Sequence, residues 1–461
     1  MARKRSDRSR RTPHDAGETT VYEKTAVVCI TAVPMLAMAG YGSADVWALI
    51  PLSLLSIVLV VLWTGDSLRR KEFRFSTSRL QIPIVALVLL GCFQLLPLGS
   101  SGVSLDLLGT EAASSLSLDP FATKIFTIRL FLLLIFFAAA LTYLNGKRRV
   151  QRVAIAVIIF GSVMAFIGIL QRLASPDAIY GLRPTPQAIP FGPFVNQHHF
   201  AAFMEMTVGL TLAAVLGGAV TRDKRALYGI ALALMMIAVI MTGSRGGMIG
   251  VFAVIAFVAA AVYFAARRGR ELDRRAAGLK LGLGAAAVLV VVLAGALFLS
   301  GADPLVRGIG LQDGQADITS GRIHFWSIAL RIFFEHPIFG AGFDAFGVAF
   351  TKFDTWNGYF RVEQAHNDYL QILADGGIIA FIAVCSFIFL LFKRGLRVIR
   401  LSTSPGRQAI AIGALAGCFG ILVHSFFDFP LRTASNSYFF LLLAALATVD
   451  LGDEREEKRD A

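Results

Sequence analysis

Glu363-Gln364-Ala365-His366-Asn367-Asp368 closes a polar interval that opens near Gly301, and the apolar run 369–392 follows it without a gap. The chain on either side is a series of apolar runs. Irregular backbone at membrane depth is tolerated only where protein or water satisfies its polar groups. One long hydrophilic interval in such a chain, with a His at its far edge, marks a place that houses chemistry or recognition.

The flanking composition fixes the class. Of 461 residues, 56% are hydrophobic and 16% charged, and the mean hydropathy is +0.67. Soluble domains average about 25% charged residues, so this is an integral membrane protein. A helix needs about 20 apolar residues to cross the hydrocarbon core. By that measure the sequence predicts an all-α fold of twelve transmembrane helices, near 25–42, 45–64, 80–99, 121–144, 150–171, 199–220, 226–242, 247–266, 279–300, 369–392, 408–428 and 434–450. The expected organisation is a basic tail over 1–24, N-terminal spans over 25–171, a catalytic membrane region over 172–450 that contains the loop 301–368, and a tail over 451–461. Ala37-Met38-Ala39 superficially resembles a signal-peptidase site, but a second span follows closely, so the first run reads as retained.

Lys and Arg sort by connection. The N-terminal tail, 65–79, 145–152, 221–225, 267–280, 393–407 and the C-terminal tail hold most of the 44 basic residues. Under the positive-inside rule both termini are cytoplasmic. The formal charge of +13 is then chiefly an orientation signal with a contact to anionic lipid. Scattered over short loops, these charges argue against nucleic acid binding. The same rule puts 172–198, Gly243–Gly247, 301–368 and His424–Arg432 on the outer face, where one outward-facing site would need them. Cys29, Cys92, Cys385 and Cys418 all lie in apolar runs without metal-ligand spacing and read as packing residues.

Several outer residues have the chemistry for a site. Arg245, in Gly243-Ser244-Arg245-Gly246-Gly247, sits between two spans with almost no loop, and guanidinium grips phosphate in a two-pronged geometry. The alternative is an Arg snorkelling from a tight turn. Imidazole can take a proton from a sugar hydroxyl, which makes His366 a candidate base, or His366 is a solvated His in a capping loop formed by Asn367 or Asp368. Arg322 and Arg183 offer a second charge for a pyrophosphate, or are ordinary surface residues. His198-His199, behind Asn196, is weak evidence for metal without a carboxylate at helical spacing. His424 and Asp428, four apart, would share a helix face as a structural pair or a support for the site. An amphipathic helix is expected near 321–336, with Ile323, Trp326, Leu330 and Phe333 as its apolar stripe.

Phe194-Val195-Asn196-Gln197-His198-His199-Phe200-Ala201, Gly243-Ser244-Arg245-Gly246-Gly247, Gly321-Arg322 ahead of Trp326, and His366-Asn367-Asp368-Tyr369-Leu370 occur in that order. Together they resemble the O-antigen ligase and Wzy-type polysaccharide polymerase superfamily. His424-Ser425-Phe426-Phe427-Asp428-Phe429 resembles a later element of its exopolysaccharide polymerases. The resemblance covers about 185–440. It implies a GT-C-like membrane fold in the bacterial inner membrane with a large periplasmic loop. It implies transfer of a glycan from undecaprenyl pyrophosphate to an acceptor hydroxyl, without nucleotide sugar, ATP or a required metal, and so with no cofactor. The acceptor would be a growing polysaccharide (favoured) or, for a ligase, lipid A core or protein, with other polysaccharide assembly proteins as partners. His366 would match the family's loop His and Arg245 its phosphate-facing Arg, with Arg322 a further match; His198 departs from many relatives. A twelve-span transporter is the rival class, but the two halves lack the likeness that class shows.

Overall fold

The computed structural model describes residues 19–98, 115–186, 188–266, 321–356 and 362–449. Most of the basic tail, the expected span 279–300, the first part of the polar interval and the tail 451–461 lie outside these residues.

The protein is an all-α membrane protein. Its described helices are α1 (Val21–Ala39), α2 (Leu49–Arg70), α3 (Gln81–Gln94), α4 (Pro120–Tyr143), α5 (Lys147–Ala174), α6 (Gln197–Leu216), α7 (Arg225–Met241), α8 (Arg245–Ala266), α9 (Arg322–Glu335), α10 (Phe346–Phe350), α11 (Asp368–Leu401), α12 (Pro405–His424) and α13 (Ala434–Thr448). Among the described residues nine helices are long and apolar enough to cross a membrane, and α3 and α13 are shorter apolar helices at expected spans. The only sheet described is a two-stranded antiparallel pair, β1 (Ala178–Ile179) and β2 (Arg183–Pro184).

α6 and α12 form the centre, with α8 packed on both. Their backbones approach closely because Gly faces Gly: a Cβ on Gly209 would lie 2.7 Å from the Gly413 carbonyl oxygen. Small residues serve this purpose where lipid removes the usual hydrophobic drive between helices.

The two ends of the bundle differ. One carries Arg70, Arg149, Arg225, Arg394 and Arg397 at helix termini. There the buried Glu23 carboxylate receives Arg70 at 2.8 Å, Arg74 at 3.1 Å and Arg149 at 2.5 Å. The other end gathers the N-termini of α6, α8, α9 and α11.

α11 is broken near that second end. Gly377 has φ 62 and ψ −163, a conformation open essentially to Gly alone. The freed backbone groups are met by the segment 337–342. Ala341 N–H donates to Ala374 O at 2.9 Å, Gly342 N–H to Asp375 O at 3.0 Å, and Ile378 N–H to Pro337 O at 2.9 Å. Gln94 closes the junction, donating to Phe339 O at 2.6 Å and to Asp375 O at 2.9 Å. Arg432 bridges the carboxylates of Asp344 and Asp375 beside it.

The helix expected near 321–336 is α9. Ile328, Ala329 and Ile332 are buried, whereas Ile323 and Leu330 are exposed.

Candidate functional site

Local sequence sets each element of the site. Asn196 caps α6 by accepting the His198 N–H at 2.8 Å. Gly243, at φ +64, ends α7, and the Ser244 hydroxyl caps α8 by accepting the Gly247 N–H at 3.0 Å. Asn367, not Asp368, caps α11, accepting the N–H groups of Tyr369 and Leu370 at 3.0 and 3.1 Å. Short polar side chains satisfy the orphan N–H groups of a helix start. Helix N-termini also carry partial positive charge, so this end of the bundle favours an anion.

Asp428 is the hub. It is 2% exposed, and its Oδ1 accepts the Phe429 N–H at 2.9 Å. Arg322, the first residue of α9, brings Nη2 to 4.0 Å from Oδ2. His366 brings Nδ1 to 3.4 Å from Oδ1, an ion-pair approach still short of a formed hydrogen bond. Burial alone raises the Asp428 carboxyl. The neighbouring His366, then His198 and His199, outweigh burial and hold the carboxyl well below its ordinary range.

His366 itself has φ +51, a left-handed backbone that is uncommon outside Gly. Its ring edge meets Phe429 at 4.9 Å between centroids, and Phe325 lies at 6.0 Å on α9. The side chain remains 32% exposed. With Nδ1 turned to Asp428, Nε2 is the nitrogen left for an incoming group.

The paired histidines diverge. His198 Nδ1 lies 2.9 Å from the Ser244 hydroxyl, next in sequence to Arg245. His199 Nδ1 lies 2.9 Å from Thr433 Oγ1, and its ring packs edge-on against Phe429. They do not share a ligand position, and among the described residues no group of three or more His, Cys, Asp or Glu could hold a metal ion.

Asp368 accepts the Ser425 hydroxyl at 2.8 Å and the Leu431 N–H at 3.3 Å. With Ser425 and Arg432 it forms the polar mouth of an otherwise apolar cleft of about 1060 Å³. Ile84, Leu130, Phe387 and Leu441 line the cleft between α3, α4, α11 and α13.

One sequence expectation needs correction. His424 does not pair with Asp428. α12 ends at His424, the chain turns, and Asp428 swings towards Arg322 and His366. His424 instead meets Glu205 of α6, Nδ1 to Oε1 at 2.7 Å, with both side chains fully buried. Arg183 grips Asp45 with two hydrogen bonds, at 2.6 and 3.0 Å, and lies over the Tyr41 ring. These contacts are with the connection after α1.

Sequence reading passed over Glu205, although a lone carboxylate inside an apolar run is itself a signal. It also passed over His324, whose Nε2 lies 2.9 Å from Asp354 and whose ring stacks on Trp356 at 4.3 Å.

Residues 230–385 match the family model described as O-antigen ligase. The match takes in Arg245, Arg322, His366 and the broken part of α11, and stops before His424 and Asp428. No curated protein matches the chain.

Proposed function

We propose that this chain, whose residues 230–385 match the family model described as O-antigen ligase, is a GT-C-type glycosyltransferase of the bacterial inner membrane. It moves an undecaprenyl-pyrophosphate-linked oligosaccharide onto an acceptor glycan hydroxyl on the periplasmic side. The observation that carries this reading is the convergence of Arg322 and His366 on buried Asp428, at the end of the bundle where four helix N-termini gather. The gathering of Arg and Lys at the opposite end supports cytoplasmic termini and an outward-facing site.

The donor's polyprenyl tail lies in the apolar cleft, and its pyrophosphate lies at the helix N-termini. His366 Nε2 removes the proton of the acceptor hydroxyl. The hydroxyl oxygen attacks the anomeric carbon, the bond from that carbon to the phosphate oxygen breaks, and the configuration inverts. Asp428 steadies the imidazolium that forms. Arg245 and Arg322 neutralise the charge growing on the leaving pyrophosphate. Preorganised charge of this kind is usually the largest catalytic contribution, and proton removal adds about 10²–10⁴ in rate.

Polymerisation of secreted polysaccharide is favoured by the length of the 301–368 interval. Ligation to lipid A core or protein is the second reading, favoured by the description of the matching family model. Purified protein supplied with lipid-linked oligosaccharide separates them: a ladder of longer glycan marks a polymerase, and single transfer to an added acceptor marks a ligase. Arg245→Ala and His366→Ala are expected to abolish either product while the protein stays in the membrane. Normal product from both variants refutes the assignment.

A further inference from the structure

The basic end of the bundle holds a second cavity, of about 1190 Å³, remote from the proposed site. Arg79, Lys393, Arg394, Arg397 and Arg407 line it, together with Ser78 and Ser402. Two of the cations have structural work. Arg407 donates to Leu446 O at 2.9 Å and Val449 O at 2.7 Å, and Arg394 donates to Thr448 O at 2.9 Å. They thereby complete the C-terminus of α13, whose last carbonyls have no partner within the helix. That leaves Arg79, Lys393 and Arg397, all solvent-exposed, with no ion pair described among the described residues. The cavity is also flanked by the starts of α3 and α12, which add positive potential.

A positive-inside bias accounts for basic residues in loops. It does not account for cations ringing one cavity between helices. The other walls are Leu80, Leu390, Val398 and Leu401, and the last of these is 56% exposed on the outer surface of α11. Phe389, 64% exposed, lies one turn from Lys393 on the side of the membrane-spanning part of α11, and the Lys393 Nζ is 5.6 Å from its ring centroid. A cationic cavity that opens onto an apolar helix surface fits a phosphate joined to acyl chains better than a free ion. Basic pockets between membrane helices recognise lipid headgroups in this way.

We infer that this cavity binds the phosphodiester headgroup of an anionic phospholipid, held by Arg79, Lys393 and Arg397, with the acyl chains along Phe389. The inference is independent of the glycan reaction.

Native mass spectrometry of the full-length protein tests it, comparing phosphatidylglycerol with phosphatidylcholine of identical chains. The wild type is expected to retain phosphatidylglycerol preferentially. Arg397→Gln should lower that preference about fivefold, and Arg79→Gln/Lys393→Gln/Arg397→Gln on the order of a hundredfold. The single variant keeps the test decisive if the triple variant fails to fold. An unchanged preference in Arg397→Gln overturns the inference. So does displacement of phosphatidylglycerol by equimolar inorganic phosphate, which would assign the cavity to a soluble anion. A preference that emerges only after deletion of the acid-rich residues 451–461 would assign the cavity to the chain's own terminus and equally overturns it.

Discussion

Glu205 and His424 offer the sharpest energetic test of the bundle's centre. Both side chains are 0% exposed, they meet at 2.7 Å, and Oε2 of one and Nε2 of the other have no hydrogen-bond partner. Gly246 and Gly250 of α8 press against them so closely that a Cβ at either would fall within 2.6 Å of the pair. The perturbation is Glu205→Met, His424→Leu, and both together. Stranding a permanent charge in such a place costs about 3–5 kcal/mol. Either partner left alone can change protonation instead, so the expected cost of each single change is that of an unpaired polar group, about 1–3 kcal/mol. Volume-conserving apolar replacement of both removes the unpaired group, so the double variant should lie within about 1.5 kcal/mol of wild type. Reversible unfolding in mixed micelles, arranged as a double-mutant cycle, reads the coupling. Losses that simply add, with a coupling below about 0.5 kcal/mol, would show that the contact carries no energetic weight and refute the reasoning.

Two further outcomes follow from the geometry. Gly377→Ala places a Cβ 2.4 Å from the Ile338 carbonyl oxygen at φ +62, and should cost about 3 kcal/mol or more in unfolding experiments. Gly229→Ala on α7 meets nothing within 4 Å and should be neutral or stabilising by up to about 1 kcal/mol; similar effects from both would contradict the account of the break. Asp428 has a depressed carboxyl value in the fold, so its contribution is fully present above the unfolded value of about 3.9 and is lost as pH falls through the lower folded value. The wild-type thermal midpoint should therefore fall on acidification below about pH 4, and Asp428→Asn should fall less steeply; identical slopes would deny Asp428 its charged role.

Run length and charge sorting made most of the membrane helices legible, because both follow from the bilayer's thickness and polarity rather than from long-range contacts. The helix start at Asn367 or Asp368 was legible for a related reason: a cap is satisfied within three residues of chain. His366 and Arg322 could be nominated one by one, yet nothing local joins them to Asp428. The His424–Asp428 expectation failed because a spacing of four brings side chains together only while the helix continues, and α12 stops at His424. Its true partner, Glu205, is 219 positions away. That Gly340-Ala341-Gly342 fills the break of α11 depends on Gly377 and could not be seen from either segment alone.

The plug of backbone at the α11 break divides that helix mechanically. The turns from Asp368 to Asp375 are stitched to 337–342 and to Arg432, whereas the stretch beyond Gly377 packs with the membrane helices. His366 and Asn367 thus ride on a short block anchored to the connecting segment rather than on the long shaft below it. The glycine joint thereby separates the direction of the turns that carry the imidazole from the direction of the long shaft below.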